Sequence, residues 1–166
     1  MKKILVARKA LGKNGTLFTY YKFRTMVENA ERLFEELAAQ NGIDGLGKII
    51  NDTRITRFGR WARPNGFDEI PQVYNIINGD MTIVGIRLRP ESEWTRFPEY
   101  HKKRALKYKP GLVPPVYADG EGKSMESLLE SERKYLDQKE KSPVKTDIKY
   151  FFKVLYNYAI KGVRSR

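Results

Sequence analysis

The chain has 166 residues, 40% of them hydrophobic and 31% charged, with 32 Lys and Arg against 20 Asp and Glu, a formal charge of +12. This length predicts one domain with one core, and the charge favours a polyanionic partner: nucleic acid, nucleotide phosphates or an anionic lipid surface. The absence of Cys and the single His exclude disulfides, thiolate chemistry and histidine-rich metal sites, so any metal would sit on carboxylates, as Mg²⁺ or Mn²⁺ prefers.

The N-terminal part predicts a β-hairpin. Residues 4–7 form a short apolar strand, residues 12–15 supply turn chemistry, and residues 17–23 form a second strand. The apolar run near Met1 is too short for a signal peptide or a membrane-spanning helix. We therefore expect a cytosolic chain, soluble as given, that lies on a membrane surface if it meets one.

The next segments predict two helices separated by a glycine-rich loop. Residues 26–40 have apolar positions at helical spacing, and the loop covers residues 42–48. In residues 52–63 arginines recur every third position, which on a helix gives one guanidinium stripe beside an apolar stripe. Such a stripe can bind phosphates or be a solvated basic face, and the pattern supports both interpretations equally; its members are Arg54, Arg57, Arg60 and Arg63.

Two adjacent carboxylates, Asp68 and Glu69, follow a Pro-Asn-Gly break near the start of a predicted helix over residues 71–77. Neighbouring carboxylates repel each other unless cations, a metal or a helix N-terminus offset the charge. One of them could attack phosphorus while the other holds Mg²⁺. The simpler interpretation is that they cap the helix.

The second half of the chain predicts a strand over residues 81–86, a basic and aromatic, partly helical segment over 94–109, and helices over 125–141 and 146–162. We expect His101 to be a solvated member of the basic segment. The last helix could seat in a lipid interface, although ordinary core packing with surface lysines is the interpretation we favour. The predicted fold is α/β (α+β): a small sheet with a β-hairpin, surrounded by amphipathic surface helices.

Four segments in chain order resemble the bacterial sugar transferase family, the monotopic polyprenyl-phosphate phosphoglycosyl transferases. They are Tyr-Lys-Phe-Arg-Thr-Met at 21–26, Asp-Thr-Arg-Ile-Thr-Arg-Phe-Gly-Arg at 52–60, Asp-Glu-Ile-Pro-Gln-Val-Tyr-Asn at 68–75 and Gly-Asp-Met-Thr-Ile-Val-Gly at 79–85. The resemblance covers about residues 8–112, which leaves a helical extension over about 113–166 within the one catalytic domain.

The resemblance implies a two-step exchange at the cytoplasmic face of the inner membrane. In the family an Asp attacks the β-phosphate of a UDP-sugar and releases UMP, and the phosphosugar then passes to undecaprenyl phosphate for polysaccharide or glycoconjugate synthesis. Asp68 matches this nucleophile, and Glu69 matches the partner that binds Mg²⁺. The substrate-binding positions that it implies are Lys22, Arg24, Arg63, Gln72, Pro90 and, as alternatives for the arginine that contacts the nucleotide, Arg87 and Arg89.

The sequence departs from the family pattern at three points. Family members carry a hydrophobic re-entrant helix before the region that begins here at Met1, so we expect a shortened sequence or an anchoring subunit. Residues 85–90 read Gly-Ile-Arg-Leu-Arg-Pro where the family reads Gly-Pro-Arg-Pro, and residues 113–115 depart from the family's next motif.

Two other functions are compatible with the sequence. A catalytically impaired family member could act as a regulatory or binding subunit. A basic nucleic-acid-binding module would fit the charge and the interleaved aromatics, but no nucleic-acid motif accompanies them. We therefore expect a UDP-sugar, a polyprenyl phosphate, an anionic membrane surface and an anchoring subunit as partners, and no nucleic acid.

Overall fold

The computed structural model describes residues 4–120 and 124–163. The chain opens with an antiparallel hairpin of β1 (Leu5–Leu11) and β2 (Leu17–Phe23), whose register pairs Leu5 with Phe23 and Leu11 with Leu17. Asn14 and Gly15 adopt positive φ angles of 57° and 75° in the turn, a region that Asn and Gly tolerate best. The predicted hairpin is confirmed, with a first strand longer than expected.

Helix α1 covers Phe34–Asn41, so the prediction of a helix from residue 26 is wrong at its start. Met26 forms an isolated antiparallel bridge with Ile55, and Asn29 has a positive φ of 64°. Both conformations are incompatible with a continuous helix, and apolar spacing alone did not reveal them.

Helix α2 covers Arg57–Ala62. Thr56 caps its N-terminus, and the Thr56 side chain accepts a hydrogen bond of 3.0 Å from the Gly59 amide. The predicted guanidinium stripe is therefore wrong at Arg54, which precedes the helix. Arg54 is buried and forms an ion pair of 2.7 Å with Asp52. Arg54 also donates from Nη1 to the main-chain oxygen of Ala30 at 2.9 Å, so it joins two loops instead of extending a cationic face.

Two short 3-10 helices, Arg63–Asn65 and Phe67–Gln72, follow α2 and lead into α3 (Val73–Ile77). Gly66 joins them with a positive φ of 69°. The adjacent carboxylates therefore lie in the second 3-10 helix and not in the first turn of an α-helix.

The core lies between a second small sheet and the C-terminal helices. Strands β3 (Thr82–Val84) and β4 (Gly111–Val113) pair in parallel, and a Cβ atom added to Gly85 or Gly111 would collide with the backbone of the other segment. Helices α4 (Glu99–Ala105), α5 (Met125–Lys141) and α6 (Pro143–Ile160) complete the fold. The mixture of helices with two small sheets confirms the predicted α/β class. The core residues come from all these parts of the chain and include Val84, Ile86, Trp94, Phe97, Tyr135, Leu136 and Tyr150.

The basic and aromatic segment is more buried than expected. His101 is 2% exposed and its Nε2 lies 2.8 Å from a carboxylate oxygen of Glu132, so the prediction of a solvated histidine is wrong. Trp94 and Phe97 are also buried, whereas Tyr100 is exposed. The partner of His101 is the buried Glu132 carboxylate, which lies on a helix distant in sequence and which the local sequence did not indicate.

Helix α6 differs from the interpretation that we favoured. It buries Tyr150 and Val154 in the core, but a second apolar face is open to solvent. On that face Phe152 is 62% exposed and Ile160 is 68% exposed, and Ile148 and Leu155 are also exposed. Core packing therefore accounts for only one side of this helix.

The cap of α2 should contribute to stability because it satisfies an amide that has no partner within the helix. We expect Thr56→Ala to lower the free energy of unfolding by about 1 kcal/mol, measured by urea denaturation. Thr53→Ala, at an exposed position of the preceding loop, is the matched control. Equal stability of the two variants would contradict a role for this cap.

Candidate active site

The adjacent carboxylates are tied to the hairpin by an ion pair. Lys22 of β2 donates from Nζ to Oε1 of Glu69 at 2.7 Å, with the two side chains 31% and 25% exposed. The alternation of β2 turns Lys22 toward the 3-10 helix Phe67–Gln72, and that helix presents Glu69. Asp68 precedes Glu69 in the same helix and is 7% exposed.

Burial and neighbouring charges shift the pKa values of the two carboxyl groups in opposite directions. Burial raises the pKa of Asp68, an effect that Lys22 and Arg63 oppose and that the charge of Glu69 reinforces. Burial also disfavours the charged form of Glu69, but Lys22, Arg87 and Arg63 outweigh it and hold the pKa of that carboxyl below its ordinary value. Glu69 is thus an anion at neutral pH, and the carboxyl group of Asp68 is more basic than that of an ordinary aspartate.

A cavity of about 680 Å³, which we call the cationic cleft, opens beside the ion pair. Two carboxylates, Asp44 and Glu93, also line it. Its volume is in the range of sites that bind small organic ligands, and its charge suits an anion. The cations that line it are Arg8, Lys22, Lys48, Arg63, Arg87 and Arg96.

Asp68 lines a neighbouring cavity of about 530 Å³, which we call the dyad cavity. Lys22 and Arg63 line both this cavity and the cationic cleft, so the two spaces share a wall of cations. An anion in the cleft would therefore approach Asp68 across these two side chains.

A third cavity of about 670 Å³, the apolar groove, adjoins the dyad cavity, since Phe23 and Arg24 line both. Trp61 stacks on Phe67 with ring centroids 4.8 Å apart and an interplanar angle of 15°. The groove brings exposed aromatic surface next to the residues around Asp68. Its apolar lining is Ile4, Phe23, Met26, Val27, Phe58, Trp61, Phe67 and Ile70.

The two arginines after β3 have different positions. Arg87 lines the cationic cleft and donates from Nη1 to the hydroxyl oxygen of Tyr117 at 3.3 Å. Burial lowers the pKa of Arg87, but Tyr117 and the carboxylates Glu69, Glu93 and Glu132 outweigh it, so the net pKa is raised and the charge is fixed. Arg89 is 1% exposed and lies in the core, paired with Glu132. Of the two alternatives, only Arg87 lines the cleft.

The other predicted positions are divided between surface and interior. Pro90 lines the cationic cleft and Arg24 lines the dyad cavity and the apolar groove. Gln72 is 1% exposed and lines none of the cavities described above, and its Nε2 atom has no hydrogen-bond partner among the described residues. Its position favours a role inside the fold over direct contact with a ligand.

Sequence reasoning missed Lys48 as a cleft residue. The loop that carries it is folded by Asp44, whose side chain accepts from the amides of Leu46 and Lys48 at 2.9 Å each. Burial, with the charges of Arg87 and Arg63, lowers the pKa of Lys48 to about 8. A lysine within a glycine-rich loop was the available signal, but only the fold shows that the loop faces the arginines.

The described residues include no group of three or more His, Asp or Glu side chains that could hold a metal by themselves. Mg²⁺ often binds through one or two carboxylates and completes its octahedron with water and substrate phosphates. Asp68 and Glu69 provide such a partial donor set, although Oε1 of Glu69 already accepts from Lys22. The residues therefore fit a metal that arrives with a phosphate ligand.

Comparison with known proteins defines the class of this chain. The sequence model of the family described as bacterial sugar transferase matches residues 1–161. The chain belongs to this family, as the four sequence segments indicated.

Among its relatives is the galactosyl transferase CpsE of Streptococcus agalactiae serotype III (strain NEM316), 38% identical over 110 residues, which are 66% of this chain and 24% of CpsE. An undecaprenyl-phosphate galactose phosphotransferase of Salmonella typhimurium is 38% identical over 98 residues, 56% of this chain and 21% of the relative. A UDP-galactose-lipid carrier transferase of Erwinia amylovora is 35% identical over 98 residues, 56% of this chain and 20% of the relative. The aligned part of the chain thus spans about a quarter or less of the length of these relatives.

Within residues 4–120 and 124–163, no helix combines the length and the apolar character needed to cross a bilayer.

The ion pair between Lys22 and Glu69 should give a defined pH dependence. The folded-state pKa of Glu69 is depressed, so its contribution to stability is present above the unfolded pKa and is lost as pH falls through the folded pKa. We expect Lys22→Gln to destabilise the protein by about 1 kcal/mol at pH 7 and by progressively less as the pH falls below about 4. Urea denaturation at several pH values measures this.

The matched control is Lys134→Gln, which removes an exposed pair of similar length, Lys134 with Glu130 at 2.9 Å. Because water screens that pair, we expect little change in stability. A difference between wild type and Lys22→Gln that does not depend on pH would contradict the assignment.

Proposed function

We propose that this protein transfers a sugar 1-phosphate from a UDP-sugar to a polyprenyl phosphate through a covalent intermediate on Asp68. The observation that carries the proposal is that Asp68 lines the dyad cavity, which shares Lys22 and Arg63 with the cationic cleft and Phe23 and Arg24 with the apolar groove. The two substrates differ in the same way, since the donor is a hydrophilic diphosphate and the acceptor is a phosphate on a long apolar chain. The names of the Salmonella and Erwinia relatives support the same reaction class.

The cationic cleft suits the donor. Lys22, Lys48, Arg63 and Arg87 can neutralise the diphosphate, and the planar guanidinium groups can bind phosphate oxygens in bidentate fashion. Pro90 and the aromatic ring of Tyr20 line the same space and offer surface to the nucleoside or the sugar. Because Lys22 and Arg63 also line the dyad cavity, they would orient the β-phosphorus toward Asp68.

In the first step a carboxylate oxygen of Asp68 attacks the β-phosphorus of the UDP-sugar. The bond from this phosphorus to the bridging oxygen breaks, and UMP leaves with the electron pair on its phosphate. In the second step a phosphate oxygen of the polyprenyl phosphate attacks the same phosphorus, and the Asp68 carboxylate leaves. The product is a polyprenyl diphosphate sugar, and the enzyme is regenerated.

The raised pKa of Asp68 is consistent with a nucleophile, because a carboxylate that is more basic than an ordinary aspartate is a stronger nucleophile when ionised. Lys22 and Arg63 keep the ionised form accessible. Glu69, held as an anion by Lys22, is the ligand that we assign to Mg²⁺. When bound, this metal neutralises phosphate oxygens as negative charge shifts to the leaving UMP.

The apolar groove suits the acceptor and a membrane surface. Around it Phe58, Trp61 and Ile70 are exposed, together with the basic residues Arg57 and Arg60. The open face of α6 lies nearby, because the hydroxyl of Tyr158 is 3.5 Å from Oδ1 of Asn65. We propose that this combined surface seats on the anionic cytoplasmic leaflet of the inner membrane, where the lipid chain enters the groove.

The alternative of a regulatory subunit is less well supported. Asp68 and the cations implied by the family resemblance at Lys22, Arg63 and Arg87 line connected cavities, and Glu69 is paired with Lys22 beside them. No observation on the described residues favours nucleic acid over a nucleotide sugar.

The nucleophile is tested with Asp68→Asn. We expect wild type, with Mg²⁺, undecaprenyl phosphate and a panel of UDP-sugars, to release UMP, and we expect the variant to lose at least about 10³-fold of this activity. Asp137→Asn is the matched control, because Asp137 lies on α5 and pairs with Arg104 away from the cavities. Intact-protein mass spectrometry without acceptor should detect a phosphosugar adduct on wild type only. Activity that survives Asp68→Asn would exclude the proposed nucleophile.

The membrane-facing surface is tested by tryptophan fluorescence. The chain has two tryptophans, and Trp61 is 56% exposed whereas Trp94 is 3% exposed. We expect phosphatidylglycerol vesicles to shift the emission to shorter wavelength, and neutral phosphatidylcholine vesicles to do so less. Trp61→Phe should abolish the shift while the protein still sediments with the vesicles. Sedimentation of wild type without any emission change would mean that another face binds the bilayer.

A further inference from the structure

A buried charge cluster connects the C-terminal helices to the segment that carries Arg87. Glu132 of α5 is fully buried, and its two carboxylate oxygens have different partners. Oε1 accepts from Nη2 of Arg89 at 2.5 Å, and Oε2 lies 2.8 Å from Nε2 of His101 on α4. One carboxylate thus joins three parts of the chain that are distant in sequence.

The cluster is enclosed by aromatic side chains. The guanidinium carbon of Arg89 lies 4.2 Å from the ring centroid of Phe97 and 5.1 Å from that of Trp94. The Phe97 ring in turn stacks on His101 with centroids 5.8 Å apart. Burial opposes the charge of Glu132, but Arg89 and His101 outweigh it and hold the pKa of Glu132 below its ordinary value. Arg89 is therefore fixed in position by both packing and charge.

Arg89 in turn restricts the position of Arg87. Its Nη1 donates to the main-chain oxygen of Arg87 at 3.3 Å, and Arg87 also forms an isolated parallel bridge with Gly111. At the other end of the residue, the guanidinium of Arg87 donates to Tyr117. The backbone of Arg87 is thus held by Arg89, which lies in the core, and its side chain is held by Tyr117, which also lines the cleft.

We propose that Glu132 is a positioning residue for donor binding. Glu132 fixes Arg89, and Arg89 holds the backbone of Arg87 so that the guanidinium of Arg87 stays in the cationic cleft. This inference rests on the proposed transferase function and assigns a role in it to the C-terminal helices. Glu132 and Arg89 act through Arg87 and do not touch the donor themselves.

A purely structural role would give a different result on replacement. Buried ion pairs often stabilise a fold no better than apolar side chains of similar volume, because burying the charges costs about as much as their attraction gains. Replacing the whole cluster with apolar residues can therefore preserve stability while it removes the directed hydrogen bonds. Such a replacement separates positioning from folding.

The test compares wild type with a triple variant, Arg89→Met, Glu132→Leu and His101→Phe. We expect a melting temperature close to that of wild type, a Kd for UDP in the presence of Mg²⁺ that is about tenfold higher or more, and a similar rise in KM for the UDP-sugar. Calorimetric titration with UDP gives the Kd without relying on turnover. The matched control is Lys139→Met with Asp147→Leu, which removes a 2.6 Å pair between α5 and α6 that has no contact with Arg87.

A double-mutant cycle then asks whether the effect passes through Arg87. Arg87→Gln should weaken UDP binding strongly in wild type and much less in the triple variant, because the arginine there is already misplaced. Equal losses in the two backgrounds, or wild-type affinity in the triple variant, would overturn the inference.

A second variant covers the case in which the triple variant does not fold. Glu132→Asp keeps the charge but withdraws the carboxylate from Arg89 and His101. The proposal predicts weaker UDP binding by the folded protein, whereas a merely structural role predicts only a lower melting temperature.

If wild type neither binds UDP nor turns over a UDP-sugar, the transferase function fails and this inference with it. If wild type does both and the variants keep their affinity, the inference alone fails.

Discussion

The candidate active site depends on the ion pair between Lys22 and Glu69. It joins the second strand of the hairpin to the 3-10 helix Phe67–Gln72, two elements that are far apart in sequence. Because the pair is only partly shielded from water, its contribution to stability is modest. Its larger effect is on the protonation of the two carboxyl groups. The Lys22 ammonium group helps to keep Glu69 ionised, and its charge also opposes the rise that burial causes in the pKa of Asp68.

This arrangement explains how a strongly basic chain can keep two adjacent acids at one position. The arginines and lysines are distributed around connected cavities, and aromatic side chains are concentrated in the lining of the apolar groove. In the proposed function a polar substrate and an apolar substrate occupy adjoining cavities. In the proposed mechanism this separation lets UMP leave, with the sugar phosphate still on Asp68, before the lipid phosphate attacks.

Several features could be predicted from sequence because they depend on neighbours along the chain. The hairpin, α5 and the adjacency of Asp68 and Glu69 follow from turn residues, helical spacing and local motifs. The environment of His101, the pairing of Arg54 and the interior position of Arg89 could not be predicted in this way. Each depends on a partner or a loop conformation, such as Glu132 for His101 and Arg89, that no local pattern indicates. Charge and composition also gave no means of telling a buried arginine from one that lines a cleft.

The contact between Gly85 and Gly111 has a consequence for redesign of this enzyme class. Here two backbones touch without an intervening side chain, two residues before Arg87. This crossing therefore constrains the main chain that leads to Arg87, in addition to the contacts that Arg89 and Tyr117 make with Arg87 itself. Under the proposed function, efforts to alter which nucleotide sugar is accepted should leave this crossing intact and vary the loop around Lys48, which also lines the cationic cleft.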